Sequence, residues 1–76
     1  MDIKVGVVGK IDAGDEVGSY VKVIDDTTNT GGYLVLTAVS PDMSDAFDNW
    51  VEDRESLSRY FEESRWAVTW MPVDPV

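Results

Sequence analysis

Short apolar runs that alternate with polar residues, placed around one stretch of helical spacing, predict an α+β domain. The expected architecture is a mainly antiparallel sheet of four to five strands, with one helix over about 54–64 packed across it. Three features point there. Residues 3–7, 17–24 and 66–71 alternate as half-buried strands do, 33–39 is apolar on both alternating faces, and 54–64 turns Leu57, Tyr60 and Phe61 to one side.

Ile3, Val5 and Val7 alternate with Lys4 and Gly6, which predicts a first strand over about 2–8. Residues 9–16 (GKIDAGDE) carry three acids and two glycines and are expected to form a connector, with Gly14 free to adopt positive φ. Over 17–24 Val17, Val21 and Val23 share one face while Tyr20, Lys22 and Ile24 share the other, the pattern of a second strand at a sheet edge. Residues 25–32 are all polar or glycine and read as a hairpin turn. It leads into a central strand over 33–39, whose two apolar faces need cover on both sides, or a helix on one and bulky aromatics on the other.

Residues 40–64 admit two readings. In one, Ser40 and Pro41 open a single long helix with Met43, Ala46, Phe47, Trp50, Leu57 and Phe61 on one face, although Arg54 interrupts that face. In the other, a loop leads to a short strand, Phe47-Asp48-Asn49-Trp50-Val51, and a helix begins at a cap near Asp53. The second is preferred. Asp48 and Asn49 form helix poorly, and an unbroken helix of ~36 Å would overhang strands of seven or eight residues. Trp66, Val68 and Trp70 then alternate on one face of a closing strand that Pro72 ends, and 73–76 is expected to fray.

Seventy-six residues accommodate one domain, 1–76, and 43% hydrophobic residues with eight aromatics place it among globular chains. There is no Cys and no His, which removes disulfides, thiolate chemistry, the usual neutral-pH base and the commonest metal ligand. Fifteen acids oppose six bases, and the net charge of −9 argues against nucleic acid and anionic membranes as partners. The N-terminal residues lack a basic segment and a cleavage site of signal-peptide type, and no run of ~18 apolar residues occurs, so a cytoplasmic location is expected.

Catalytic and cofactor motifs do not emerge. Gly6-Val7-Val8-Gly9-Lys10 has two residues between its glycines where a phosphate loop needs four, and Ile11 stands where that loop needs Ser or Thr. Asp12, Asp15 and Glu16, and separately Asp25, Asp26 and Asn29, are oxygen-rich, yet neither matches a calcium loop: from Asp25 the sixth position is Thr30 and the twelfth Leu36. The expectation is a non-enzyme with no cofactor and no metal, and a weak cation or small-ligand site in those loops is the alternative.

Charge concentrates in 42–63, where eight acids face only Arg54 and Arg59. Such a run commonly serves as a solvated face. As a docking surface for a basic protein, the candidate contact residues are Asp45, Asp48, Trp50, Glu52, Asp53, Glu55, Glu62 and Glu63, with Trp50 as an aromatic anchor inside an acidic rim. A homo-oligomer built on the Trp66/Val68/Trp70 stripe is the competing expectation.

Gly31-Gly32-Tyr33-Leu34-Val35-Leu36, Asp48-x-Trp50-Val51-Glu52, Leu57-x-x-Tyr60-Phe61-Glu62 and Trp66-x-Val68-x-Trp70 together resemble small acidic bacterial proteins of unassigned function and some immunity proteins of toxin systems. The resemblance covers about 31–70. It implies a small α+β domain that binds and blocks a toxin, often a basic nuclease, and it carries packing residues and acids rather than a catalytic signature.

Overall fold

In the computed structural model, which describes residues 2–71, five strands and one helix follow the chain as β1 (Val8–Ala13), β2 (Tyr20–Asp26), β3 (Gly32–Ala38), β4 (Phe47–Val51), α1 (Arg54–Glu63) and β5 (Ala67–Trp70). The strands form one antiparallel sheet in the order β4-β3-β2-β1-β5, so the chain is an α+β protein. The first four strands follow one another as neighbours. The helix then carries the chain across one face of the sheet to place β5 beside β1.

Alternation divides each strand between that covered face and an open one. Ile11, Val21, Val23 and Val35 point toward α1 and are fully buried with Leu57 and Phe61. Trp66 completes this core, its ring edge-on to Phe61 at 4.9 Å and to Tyr60 at 5.6 Å. Buried aromatic area of this size is the main stabilising term available to a small domain. Lys10, Tyr20, Lys22, Ile24, Leu34, Leu36, Asp48 and Trp50 occupy the other face, as the pairings Lys10↔Tyr20, Lys22↔Leu36, Leu36↔Asp48 and Leu34↔Trp50 require.

The chain between β3 and α1 follows the broken reading. Loop 39–46 leads into β4, and Asp53, in extended conformation at φ −157°, accepts a hydrogen bond from the Ser56 N–H at 2.8 Å to cap α1. That bond holds the Asp53 carboxyl below its ordinary pKa. Arg54, awkward on a long helix, instead places its guanidinium 5.9 Å from the centre of the Tyr33 ring.

Two strand boundaries depart from expectation. The first strand is Val8–Ala13, not 2–8: Gly6 turns at φ +79°, Val5 makes one isolated bridge to Val23, and Ile3 and Val5 close an end of the core without joining a ladder. The polar stretch expected as a connector is therefore β1 itself. It is an interior strand, bonded to β2 and β5, and its backbone pairing is indifferent to the polarity of Lys10 and Asp12, which face solvent. Gly9 is required there because a Cβ would collide with Val68 and Trp70, which lie against its backbone. The second strand, β2, is interior rather than an edge, and Val17, 63% exposed, belongs to the preceding turn. The fraying expected for 73–76 lies outside the described residues.

Candidate functional site

The end of the sheet where β1 finishes collects three chain segments. There the β1–β2 turn is docked on the C-terminal turn of α1: the Asp15 N–H donates to the Ser64 carbonyl at 2.9 Å, and the Trp66 indole N–H donates to the Asp15 carbonyl at 2.5 Å. Gly14, at φ +95°, lies so close to the carbonyls of Ser64 and Arg65 that no Cβ fits. This docking brings Asp15, and Glu16 after it, to the negative end of the helix, with both side chains exposed.

Helix ends of this kind normally carry cations. Here the last turn has no basic residue and instead ends on Glu62-Glu63, with Asp42 and Asp45 in the neighbouring loop 39–46. Arg65 is the basic residue of that end. The arrangement concentrates negative potential without a matching set of cations.

A groove of about 490 Å³ opens at this end between β4 and α1. Phe47, 77% exposed, and the half-buried Tyr60 form its aromatic walls, Asp15 and Glu16 its acidic rim, and Thr37 and Asn49 its polar side toward the sheet. Burial, and then the charges of Glu16 and Asp15, push the Tyr60 hydroxyl above its ordinary pKa. Two further hollows flank the other side of α1, one of about 370 Å³ lined by Ile3, Phe61, Glu62 and Arg65, and one of about 230 Å³ near Asp2 and Arg54. In both, an acid and an arginine occur together.

The eight candidate contact residues are divided among three surfaces. Asp48 and Trp50 lie on the open face, on the far side of the sheet from α1. Trp50 is 50% exposed; its indole N–H donates to the Thr30 hydroxyl at 2.9 Å and its ring covers Gly32. Glu52 and Asp53 lie in the β4–α1 connection, with Asp53 engaged as the helix cap, and Glu55 on the first turn approaches Arg59 at 3.5 Å. Asp45 in loop 39–46 and Glu62 and Glu63 in the last turn of α1 lie outside the groove lining, and Glu62 lines the hollow on the other side of the helix. The expected single patch around Trp50 is thus two acidic edges and one apolar face.

Phe47, Asp15 and Glu16 did not enter the sequence-based contact set. The legible signal was the acidic last turn of a helix, which opposes the helix dipole. No run of sequence joins it to Asp15 and Glu16, which arrive through the docked turn.

Other expected features have local explanations. Asp25 accepts from the Thr27 N–H and hydroxyl, Asp26 from the Asn29 amide at 3.1 Å, and Asp12 from the Thr69 hydroxyl. Asp25 is held below its ordinary pKa by the Thr27 bonds, as Asp42 is by those from Ser44. Among the described residues no group of three or more Asp or Glu side chains is arranged to hold a metal ion, and no helix is long and apolar enough to cross a membrane. The Trp66/Val68/Trp70 stripe packs on the core.

No protein-family model matches the chain, and comparison with curated proteins and with solved structures gave no match.

Proposed function

We propose that this protein is a non-enzymatic binding module, immunity-like in mode, that occludes a basic protein partner. The observation that carries the reading is β4: an edge strand that leaves Trp50 exposed beside Asp48 on the open face and Phe47 exposed on the helix side, with Asp45 and Glu52 just beyond its two ends. Large exposed aromatics inside an acidic rim are the composition of an interface anchor. The free edge also offers backbone donors and acceptors to an extended segment. Lys and Arg of the partner, groups that would otherwise hold phosphates, pair with these carboxylates, while an aromatic side chain enters an apolar hollow of the partner.

A short peptide of alternating Arg and Val, titrated into ¹⁵N-labelled protein, tests the reading. Binding is expected to shift β4 amides, to weaken sharply at ~500 mM salt where screening acts within a few Å, and to fail for the matching Glu/Val peptide. Binding indifferent to salt and to the double variant D48K/E52K overturns it.

A second reading has its own observation. Ile24, Leu34, Leu36 and Trp50 form an apolar row on the face that α1 leaves open, a surface on which two copies can associate. Sedimentation decides this, since a strict monomer at ~100 µM removes dimerisation of ordinary affinity.

A further inference from the structure

Two features of the molecule are left unexplained by the reading above: the groove between β4 and α1, and the acids of the β1–β2 turn docked at the helix C-terminus. They coincide. We propose that this groove is a receptor for a guanidinium group, the side chain of an arginine on the basic partner, stacked between Phe47 and Tyr60 and paired with the carboxylates of Asp15 and Glu16. The inference rests on the partner reading in that the guanidinium is taken to belong to that protein.

The walls and the rim suit this group in different ways. A guanidinium is planar, weakly hydrated and always charged, so it stacks on aromatic faces and presents a fork of donors to carboxylates. Phe47 and Tyr60 supply the faces, and about 490 Å³ is ample for the side chain. The acids supply more than contact. Asp15 is held beside the helix end by its N–H bond to the Ser64 carbonyl, and Glu16, next in the chain, adopts φ +62°, a left-handed conformation uncommon outside glycine. Their charge already reaches Tyr60, whose hydroxyl they help hold protonated. A cation in the groove relieves the repulsion among these acids and the helix end, which is an electrostatic gain absent at the two arginine-bearing hollows.

Thr37 adds a neutral contact. It is 6% exposed and the buried polar residue of the sheet. It lines the groove on the sheet side. It accepts readily from a guanidinium N–H.

Arginine amide, with the neutral and nearly isosteric citrulline amide as control, is titrated into labelled protein, and the Arg/Val peptide is titrated into wild type, F47A and E16Q. Phe47 and Glu16 are exposed, so both variants are expected to fold. The expected result is selective shifts at Phe47, Asn49, Tyr60 and Ser64 with arginine amide alone, a Tyr60 hydroxyl that titrates at lower pH when the ligand is present, and peptide binding weakened about threefold or more in each variant. Equal response to citrulline amide, or shifts spread over Asp25, Glu52 and the remaining exposed acids, overturns the proposal. Peptide binding lost in D48K/E52K but unchanged in F47A and E16Q also overturns it and leaves the partner reading standing. Arginine amide in the groove without any peptide binding supports the groove and overturns the partner reading.

Discussion

Val35 and Leu36 are neighbours on β3, yet one is sealed and the other only partly buried. The same contrast runs along β2, where Val21 and Val23 are fully buried and Tyr20, Lys22 and Ile24 are not. The covered face is a packed core with α1 across it; the open face is an apolar row bounded by Lys10, Lys22 and Asp48. Both carry apolar side chains of similar size. What separates them is the second layer, because an apolar group contributes its full transfer energy only when another element removes it from water.

The largest effect is expected at the point where the second layer meets the first. Phe61→Ala removes a fully buried ring that is edge-on to Trp66 and stacked on Trp70, and is expected to destabilise the protein by about 3–5 kcal/mol, enough to unfold much of it; denaturant titration measures this. Substitutions at the two neighbours on β3 then divide the faces. Val35→Ala is expected to cost about 2 kcal/mol and Leu36→Ala under about 1 kcal/mol, although the second removes more atoms. Equal losses show that something covers the open face in solution.

Gly9 and Gly32 repeat the comparison at backbone level. Gly9 admits Val68 and Trp70 on the covered face, and Gly32 admits Trp50 on the open one. Gly9→Ala forces buried side chains aside and is expected to lower stability by about 1–3 kcal/mol, the usual range for overpacking. Gly32→Ala displaces a half-exposed indole and also meets the Val51 carbonyl, so its loss is expected to be smaller but measurable, with Trp50 fluorescence shifted as the ring moves.

The smallest effect is a pH dependence at the groove. Tyr60 titrates above its ordinary value in the folded protein, so the folded state binds the proton more tightly than the unfolded state does. The associated stability is fully present below the unfolded value of ~10 and is lost as pH rises from there through the folded pKa. Tyr60→Phe abolishes that loss. Thermal unfolding of the two proteins at a series of alkaline pH values is expected to converge below that window and diverge within it.

Much of the covered face was legible from residue order. Leu57 and Phe61 at helical spacing, Trp66, Val68 and Trp70 in alternation, and the Asp53 cap each depend on neighbours a few residues away, where local geometry imposes its period. Asp48 and Asn49, poor helix formers, located β4 for the same reason. The first strand was misplaced because Ile11 is the single strongly apolar residue in a polar run. It is buried through pairing with strands that begin nine and fifty-six residues later in the chain. Alternation over six residues carries little weight when half of them face solvent.

The candidate groove stands at the far end of that scale. Asp15, Phe47 and Tyr60 come from three separate elements, and they converge because a glycine-bearing turn docks on a helix end, a contact that local periodicity does not encode. Residue order by itself set the class of fold, the helix and its cap, and the excess of negative charge, since composition and short-range stereochemistry suffice for each. Where that charge gathers, which aromatic rings stay in water, and which face of the sheet is left bare were settled by long-range packing, because each is a relation between surfaces and not a property of any one segment.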